Sequence, residues 1–397
     1  MSASPSLQLW SYYGLTSQVW LYRLLLGMKT HTPHLLLRRE WLAGRTFDEF
    51  PWPAAQLHLF PERTPLSKAI GRMGALLKTG RWDVLSQADA RHIRELCRRI
   101  QANVIHVHMG WLACSVLGGS PGLGAKPFAS LYGSDVFRTT NGPRYFSRLS
   151  RLLRQDLPIH VTSQHLKDGV VALGGSPDHV HVVPVGIWLP DLPTEEKTVR
   201  HRESRQSVRR IRLITVGRLV EYKAPQRLPE VARILKDRGL DFEWNLVGEG
   251  PLMPEVGQNA QKLGVSDRFF VKGRLPFDTV ADLRWNSDIM VHNAVIAPDG
   301  SRECLGVTLL EAQAVGIPVV SCKVGGIPEA VADGSTGLLV ESGDLEGMAD
   351  RIMRLSNDSE LRHRMGQAAV RHARDNFDSR KLGERIESIY DSLPGRA

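Results

Sequence analysis

The second half of this chain alternates short β-branched runs with amphipathic stretches in one repeating order, and few folds accept such a pattern. IRLITVGRL (211–219) reads as a strand, PQRLPEVARILKDRG (225–239) as a helix and FEWNLVGEG (242–250) as the next strand. PLMPEVGQNAQKLG (251–264) follows as a helix, then RFFVKGRL (268–275), a short helix FDTVADLRWN (277–286), and DIMVHN (288–293). Strands alternating with helices of about ten to fifteen residues predict a parallel sheet with right-handed crossovers.

The first half repeats the scheme. NVIHVHMG (103–110), FASLYGSDVF (128–137), PIHVTS (158–163) and VHVVPVGI (180–187) read as buried strands, separated by LSQADARHIRELCRRIQ and RYFSRLSRLLRQD as helices. At 397 residues the chain exceeds a single ordinary core, and two domains follow. The stretch 190–210, with two prolines, many charges and no apolar periodicity, suits an exposed linker. The predicted division is 1–190, a linker at 191–210, 211–375, and a C-terminal helix within 376–397 that could pack anywhere, the first domain included.

Composition narrows the function classes. The four cysteines are scattered, without a CxxC pair or metal spacing, as in a reduced, cytosolic protein. No apolar run approaches the roughly 18 residues of a membrane span, which predicts a soluble or at most peripheral protein. The net charge of +9 is unevenly placed: 21 Lys+Arg against 11 Asp+Glu through Pro190, about +10, and 30 against 31 thereafter. A basic half could face nucleic acid, an anionic leaflet or an acidic substrate, or be solvated helix surface. Nucleic acid is disfavoured, because the basic residues lack interleaved aromatics and no nucleic-acid motif occurs.

In open parallel sheets ligands sit at the carboxyl ends of strands. The strand LITV ends in Gly217-Arg218, with Lys223 on the same loop. That is a glycine allowing close backbone approach and two cations suited to phosphate, although an ordinary βα loop with surface cations reads equally well. The stretch GVTLLEAQAVG predicts a helix whose start, at Leu305, Gly306, Val307 and Thr308, presents free N–H groups and a positive dipole end. Glu303 precedes this start and Glu311 lies about one and a half turns in. One acid for a hexose, one for a ribose, and a diphosphate between them would describe a nucleotide sugar. The spacing alone leaves open a dipole-complementing Glu303 and a surface Glu311.

Residues 213–341 resemble the donor domain of retaining GT-B glycosyltransferases of the GT4 family. The motifs run in the family's order: VGRLVEYK, LVGEGPL, VKGRLP, SDIMVHNAV, the E-x7-E pair Glu303 and Glu311, EAQAVGIPVVSCKVGGIPEAV and DGSTGLLV. The DGSRECLGVTLLEA version is most like enzymes of bacterial exopolysaccharide and lipopolysaccharide biosynthesis, the colanic-acid type included. The resemblance implies the fold class α/β, GT-B: two Rossmann-like parallel-sheet domains facing across a cleft, with a C-terminal helix. It also implies a hexosyltransferase that uses an NDP-sugar, UDP or GDP, and a glycan or polyprenyl-linked acceptor. By it, Arg218 and Lys223 hold the diphosphate beside Gly217, Glu311 holds the ribose and Glu303 contacts the transferred sugar, while the loop carrying Gly273-Arg274 meets the nucleobase.

The first half resembles the acceptor domain more loosely. Where the family has His-Gly-x-Asp beside the anomeric centre, this chain has Tyr132-Gly133-Ser134-Asp135. Tyrosine is a poor base near neutral pH, which makes His108 a substitute catalytic candidate alongside Tyr132, unless it simply ends a buried strand. The loop Tyr13-Gly14-Leu15-Thr16 departs from the usual glycine pair; Gly14 and Asp135 are the acceptor-side candidates. No Asp-x-Asp occurs in the chain, so cations and a helix dipole are expected in place of a metal, and no cofactor is expected. A cytoplasmic protein, peripheral at the inner face of the plasma membrane where its basic half meets anionic lipid, is the expectation that follows. A catalytically reduced protein binding a nucleotide sugar or glycan as a partner subunit is the alternative.

Two lures fail on context. GGSPG (118–122) matches the Gly-x-Ser-x-Gly of serine hydrolases, but a helix-like segment precedes it and Pro121 follows the serine. His106 and His108 have no acidic or cysteine partner at metal-ligand spacing.

Overall fold

The computed structural model describes residues 3–10, 19–37, 52–61, 86–118, 122–204 and 210–394. The candidate Gly14, with its loop, lies outside them. The chain divides into two compact units, Met1–Gly186 with Ser379–Ala397, and Ile187–Asp378. Among the described residues, no helix is long and apolar enough to cross a membrane.

The first unit holds a seven-stranded parallel sheet in the order β3-β2-β1-β4-β5-β6-β7. Its strands are β1 (Ser4–Leu9), β2 (His31–Leu37), β3 (Leu57–Leu59), β4 (Val104–His108), β5 (Lys126–Ser130), β6 (Ile159–Val161) and β7 (Val180–Val182). Strand β5 is shorter than FASLYGSDVF suggests: it stops at Ser130, and Gly133–Val136 is a helical turn. The Asp135 carboxylate starts that turn by accepting the Tyr132 N–H at 2.9 Å.

The C-terminal helix Ser379–Ser392 belongs to this unit. Leu382, Ile386 and Tyr390 join Trp10, Leu24, Leu35 and Phe128 in one apolar cluster. Glu387 Oε1 accepts the N–H groups of Lys29, Thr30 and His31 at 2.7–2.8 Å, tying the helix to the start of β2. Gly27 and Gly383 permit the contact: a Cβ on Gly383 would press on the Gly27 backbone.

The second unit has a six-stranded parallel sheet in the order β10-β9-β8-β11-β12-β13. The strands are β8 (Ile211–Val216), β9 (Phe242–Val247), β10 (Phe269–Gly273), β11 (Ile289–Val291), β12 (Val319–Cys322) and β13 (Gly337–Val340). Helices cover both faces, so central strands such as β11 and β12 are buried at every position. The expected linker needs correction, because the unit boundary falls at Gly186/Ile187 and residues Glu195–Ser204 form a helix of the second unit. Thr198 is buried there, and Arg202 donates to the carbonyls of Trp285, Ser287 and Val315. Its surface charge hides this role, since a single arginine does the anchoring.

Candidate functional site

The order of the second sheet reverses between β8 and β11, which opens a crevice beyond their carboxyl ends. Three strands end there on glycine or just before it. A Cβ on Gly248 would collide with the Gly217 carbonyl, and Gly248 N–H donates to Gly273 O at 2.8 Å. Gly217 N–H in turn donates to Val247 O at 3.0 Å, which brings the ends of β8, β9 and β10 together.

Lys223 comes from the loop after β8, His292 follows β11, and Glu303 precedes the helix Val307–Ala314. Lys223 Nζ lies 2.5 Å from Glu303 Oε2 and 3.3 Å from His292 Nε2, and His292 Nε2 is 3.5 Å from the same carboxylate oxygen. All three side chains are largely buried, at 12%, 13% and 2% exposure. Burial works against the charged Glu303, but Lys223 and then His292 more than offset it and hold its pKa well below the carboxylate range. Burial likewise opposes the Lys223 charge, and Glu303 outweighs it, raising the ammonium's pKa. The two residues assigned separately to diphosphate and sugar therefore form one ion pair.

The paired glycines of KVGGIPEAV place Glu303. Gly325 has φ +57°, and a Cβ there would collide with the Glu303 carbonyl, which also accepts from Gly326 N–H at 3.1 Å. The helix starts at Gly306, whose φ of +86° suits glycine and whose lack of a side chain leaves the first N–H groups without a side-chain cap. Val307 begins the helix, Leu305 is buried beneath it, and Thr308 Oγ1 donates to Val216 O at 3.0 Å, docking the first turn on the end of β8. Helix N–H groups and a lysine thus face one crevice, an arrangement that receives phosphate without further machinery.

Arg218 is exposed and donates to the Tyr222 hydroxyl at 3.0 Å. Arg274 is exposed too, 3.7 Å from Glu249. The shallow groove beside it is lined by Glu249, Gly250, Met253, Pro254, Gln258 and Val271. Glu311 does not stand alone: Arg284 Nη2 donates to its Oε2 at 2.7 Å. The sequence reading missed His292 and Arg284. His292 was signalled by its place just after a strand at the switch point; Arg284 carried no signal, because a cation in a short amphipathic helix ordinarily faces water.

In the first unit the candidates form a buried chain. His160 Nε2–H must donate to Val183 O (2.8 Å), since a carbonyl only accepts, which leaves Nδ1 to accept from the Ser130 hydroxyl (2.7 Å). Ser130 then accepts from His106 Nε2–H (2.6 Å), and His106 Nδ1 accepts from the Tyr390 hydroxyl (2.6 Å). Tyr390 accepts from Gln8 Nε2 (3.2 Å), and Gln8 Oε1 accepts from His108 Nε2–H (3.0 Å). His108 Nδ1 finally accepts from the Tyr132 hydroxyl (3.0 Å). One direction satisfies every group, with all three imidazoles neutral. Burial, and after it His160, lowers the His108 pKa to about 3, and burial lowers that of His160 to about 4.

This arrangement corrects the catalytic reading of His108. It is fully buried with both nitrogens engaged, so it orients Tyr132 and has no nitrogen left for a ligand. Burial raises the Tyr132 pKa above the ordinary phenol value, and its proton is committed inward; the hydroxyl can only accept from a ligand. Asp135 is 4% exposed and engaged with main chain. Burial lifts its pKa to about 6.

Two α/β units of this topology are the GT-B architecture. Along 98% of its length the chain superposes on all of Anabaena Alr3699/HepE, solved in complex with UDP, with a TM-score of 0.75 at 16% identity. Residues 196–372, most of the second unit, match the family Glycosyl transferases group 1. A D-inositol 3-phosphate glycosyltransferase of Corynebacterium efficiens is 37% identical over 241 residues, 58% of this chain and 54% of the relative. The amylovoran biosynthesis glycosyltransferase AmsK of Erwinia amylovora is 28% identical over 260 residues, 64% of this chain and 61% of the relative. The chain thus spans about half to three fifths of the length of these curated relatives.

Proposed function

We propose that this protein is a retaining, metal-independent glycosyltransferase. It moves a sugar from an NDP-sugar to a glycan or lipid-linked glycan of a bacterial cell-surface polysaccharide. The observation that carries the reading is the Lys223–Glu303–His292 cluster beside an uncapped helix start at the switch point of a parallel sheet. The group 1 match and the UDP complex of the Anabaena neighbour favour a nucleotide-sugar donor, and the AmsK relative favours polysaccharide biosynthesis.

In the proposed reaction the C1–O(phosphate) bond breaks as the acceptor oxygen bonds C1 on the same face. The leaving phosphate oxygen takes the acceptor's proton. Tyr132 supplies no base, consistent with its inward-pointing proton. The protein's task is electrostatic: Lys223, Arg218 and the helix start meet the charge that builds on the diphosphate. Glu303 keeps Lys223 charged and in place until then, and lies where a sugar hydroxyl would meet it. A partner subunit that binds the donor without transfer is the second reading, favoured by Tyr132 standing where the family has histidine.

Thermal unfolding with UDP, GDP, CDP and ADP, each with and without EDTA, tests the donor. At about 100 times its dissociation constant one of them should stabilise by roughly 2.7 kcal/mol, undiminished by EDTA and lost in Arg218→Ala. Loss on chelation defeats the metal-free mechanism, and no shift with any nucleotide defeats the donor site. NDP release on adding acceptor separates enzyme from binding subunit.

The helix Gln87–Arg99 carries Arg91, Arg94, Arg98 and Arg99. If it rests on an anionic leaflet, replacing all four with glutamine should cut sedimentation with anionic vesicles at least about a hundredfold, at about 1 kcal/mol per cation. Unchanged sedimentation would leave that face as solvated surface.

A further inference from the structure

We infer that Arg284 is a positioning residue for nucleotide recognition: it orients the Glu311 carboxylate toward the two hydroxyls of the donor's ribose. This rests on reading Glu311 as the ribose-binding acid.

Four observations lead there. Arg284 is 5% exposed on the helix Phe277–Trp285, an uncommon place for a guanidinium without a partner. Its partner is the Glu311 carboxylate at 2.7 Å, still 16% exposed, so the acid is the more open member of the pair. The contact is made at one point, Nη2 to Oε2, whereas a pair serving packing alone gains most from the two-point fork that arginine offers. Arg284 Nε is buried without a hydrogen-bond partner, and among the described residues Glu311 Oε1 has none either. One carboxylate oxygen is therefore gripped from behind while the other remains able to accept.

The frame around the pair is rigid. Arg202 donates to Trp285 O (2.9 Å) and Ser287 O (2.5 Å) at the end of the Arg284 helix, and to Val315 O (2.8 Å) at the end of the Glu311 helix. His201 stacks on Trp285 with ring centroids 4.2 Å apart and donates to the same Trp285 carbonyl at 3.0 Å. The helix 195–204 thereby sets the spacing between the two helices that Arg284 and Glu311 occupy. A carboxylate held by one oxygen in a rigid frame has lost its rotamer freedom before the ligand arrives, which is how preorganisation raises affinity.

The test compares UDP and GDP with their 2′,3′-dideoxy forms by titration calorimetry on the full chain, with pyrophosphate as a ribose-free control. The wild type should prefer the ribose form of its nucleotide at least about tenfold, the scale of a charge-assisted hydrogen bond. Arg284→Leu should reduce that preference to about threefold or less, with pyrophosphate affinity unchanged, and Arg284→Lys should recover part of it. Glu311→Ala sets the floor. Should Arg284→Leu fail to fold, Arg284→Lys alone decides, because a single ammonium cannot reproduce the angle of the grip and its preference must fall below wild type. A preference retained in the variants overturns the positioning role and leaves the ribose reading standing. A wild type that binds nucleotide without ribose preference overturns the role of Glu311, and this inference with it. A wild type binding no nucleotide overturns the proposed function itself.

Discussion

Replacing Lys223 with methionine should lower transfer by about 10²–10³-fold and also destabilise the second unit; adding Glu303→Gln should restore the stability without restoring transfer. The rate loss is what removal of one preorganised donor from a developing oxyanion costs. The stability loss has a separate origin. Lys223 and Glu303 are 12% and 13% exposed, so deleting the cation leaves a carboxylate buried against His292 alone. Breaking such a pair costs about 3–5 kcal/mol, whereas removing both charges together is near neutral. Unfolding midpoints and NDP release measured on Lys223→Met, Glu303→Gln and the double variant separate the two effects. A double variant as unstable as Lys223→Met would mean the lysine acts through packing. Full transfer by Lys223→Met would remove it from the diphosphate site.

How the pair forms explains what the sequence could tell. The strands of the second unit were legible because helices cover both sheet faces, so IRLITV, IMV and VVSC are nearly unbroken apolar runs. The candidate residues were legible as positions, since glycines, cations and acids cluster where such strands end. Their partners were not. Lys223 and Glu303 are 80 residues apart and Arg284 and Glu311 27 apart, and only the closure of the sheet brings them within hydrogen-bond reach. In the first unit the opening strands β1 and β2 escaped notice. Ser6 and Gln8 interrupt the apolar run of SPSLQL, and Pro33 interrupts HTPHLLL. Ser6 and Gln8 are fully buried yet polar because they belong to the hydrogen-bonded chain, so the feature that hid β1 is what that chain requires.

That chain makes the first unit the more acid-labile one. The folded state keeps His106, His108 and His160 neutral, with His108 at about 3, His160 at about 4 and His106 pushed well down, all chiefly by burial. Unfolded histidine titrates near 6.5, so below that pH the unfolded chain binds three protons the folded unit refuses, and stability falls with pH. Asp135 opposes this. Its folded pKa of about 6 lies above the unfolded value, so from pH 6 to about 4 the folded state holds one proton the unfolded state lacks. For these four groups the net is about two protons, or about 2.7 kcal/mol lost per pH unit between 6 and 4; His58, lowered by burial to about 4, adds to it, and across that window the loss rivals a domain's whole stability. In the second unit burial lowers the pKa of His292 and of His372, so it too loses stability below pH 6.5 but with fewer histidines involved, and the contribution of Glu303 fades only below its unfolded pKa of 4.5. Hydrogen exchange on the intact protein, corrected for intrinsic rate, should therefore show amides at 104–108, 126–130 and 159–161 losing more protection between pH 6 and 4 than those at 211–216 and 319–322. Equal loss in both sets, or protection of the first set down to pH 4, would mean the three imidazoles do not stay neutral on folding and the direction assigned to the chain ending at Tyr132 is wrong.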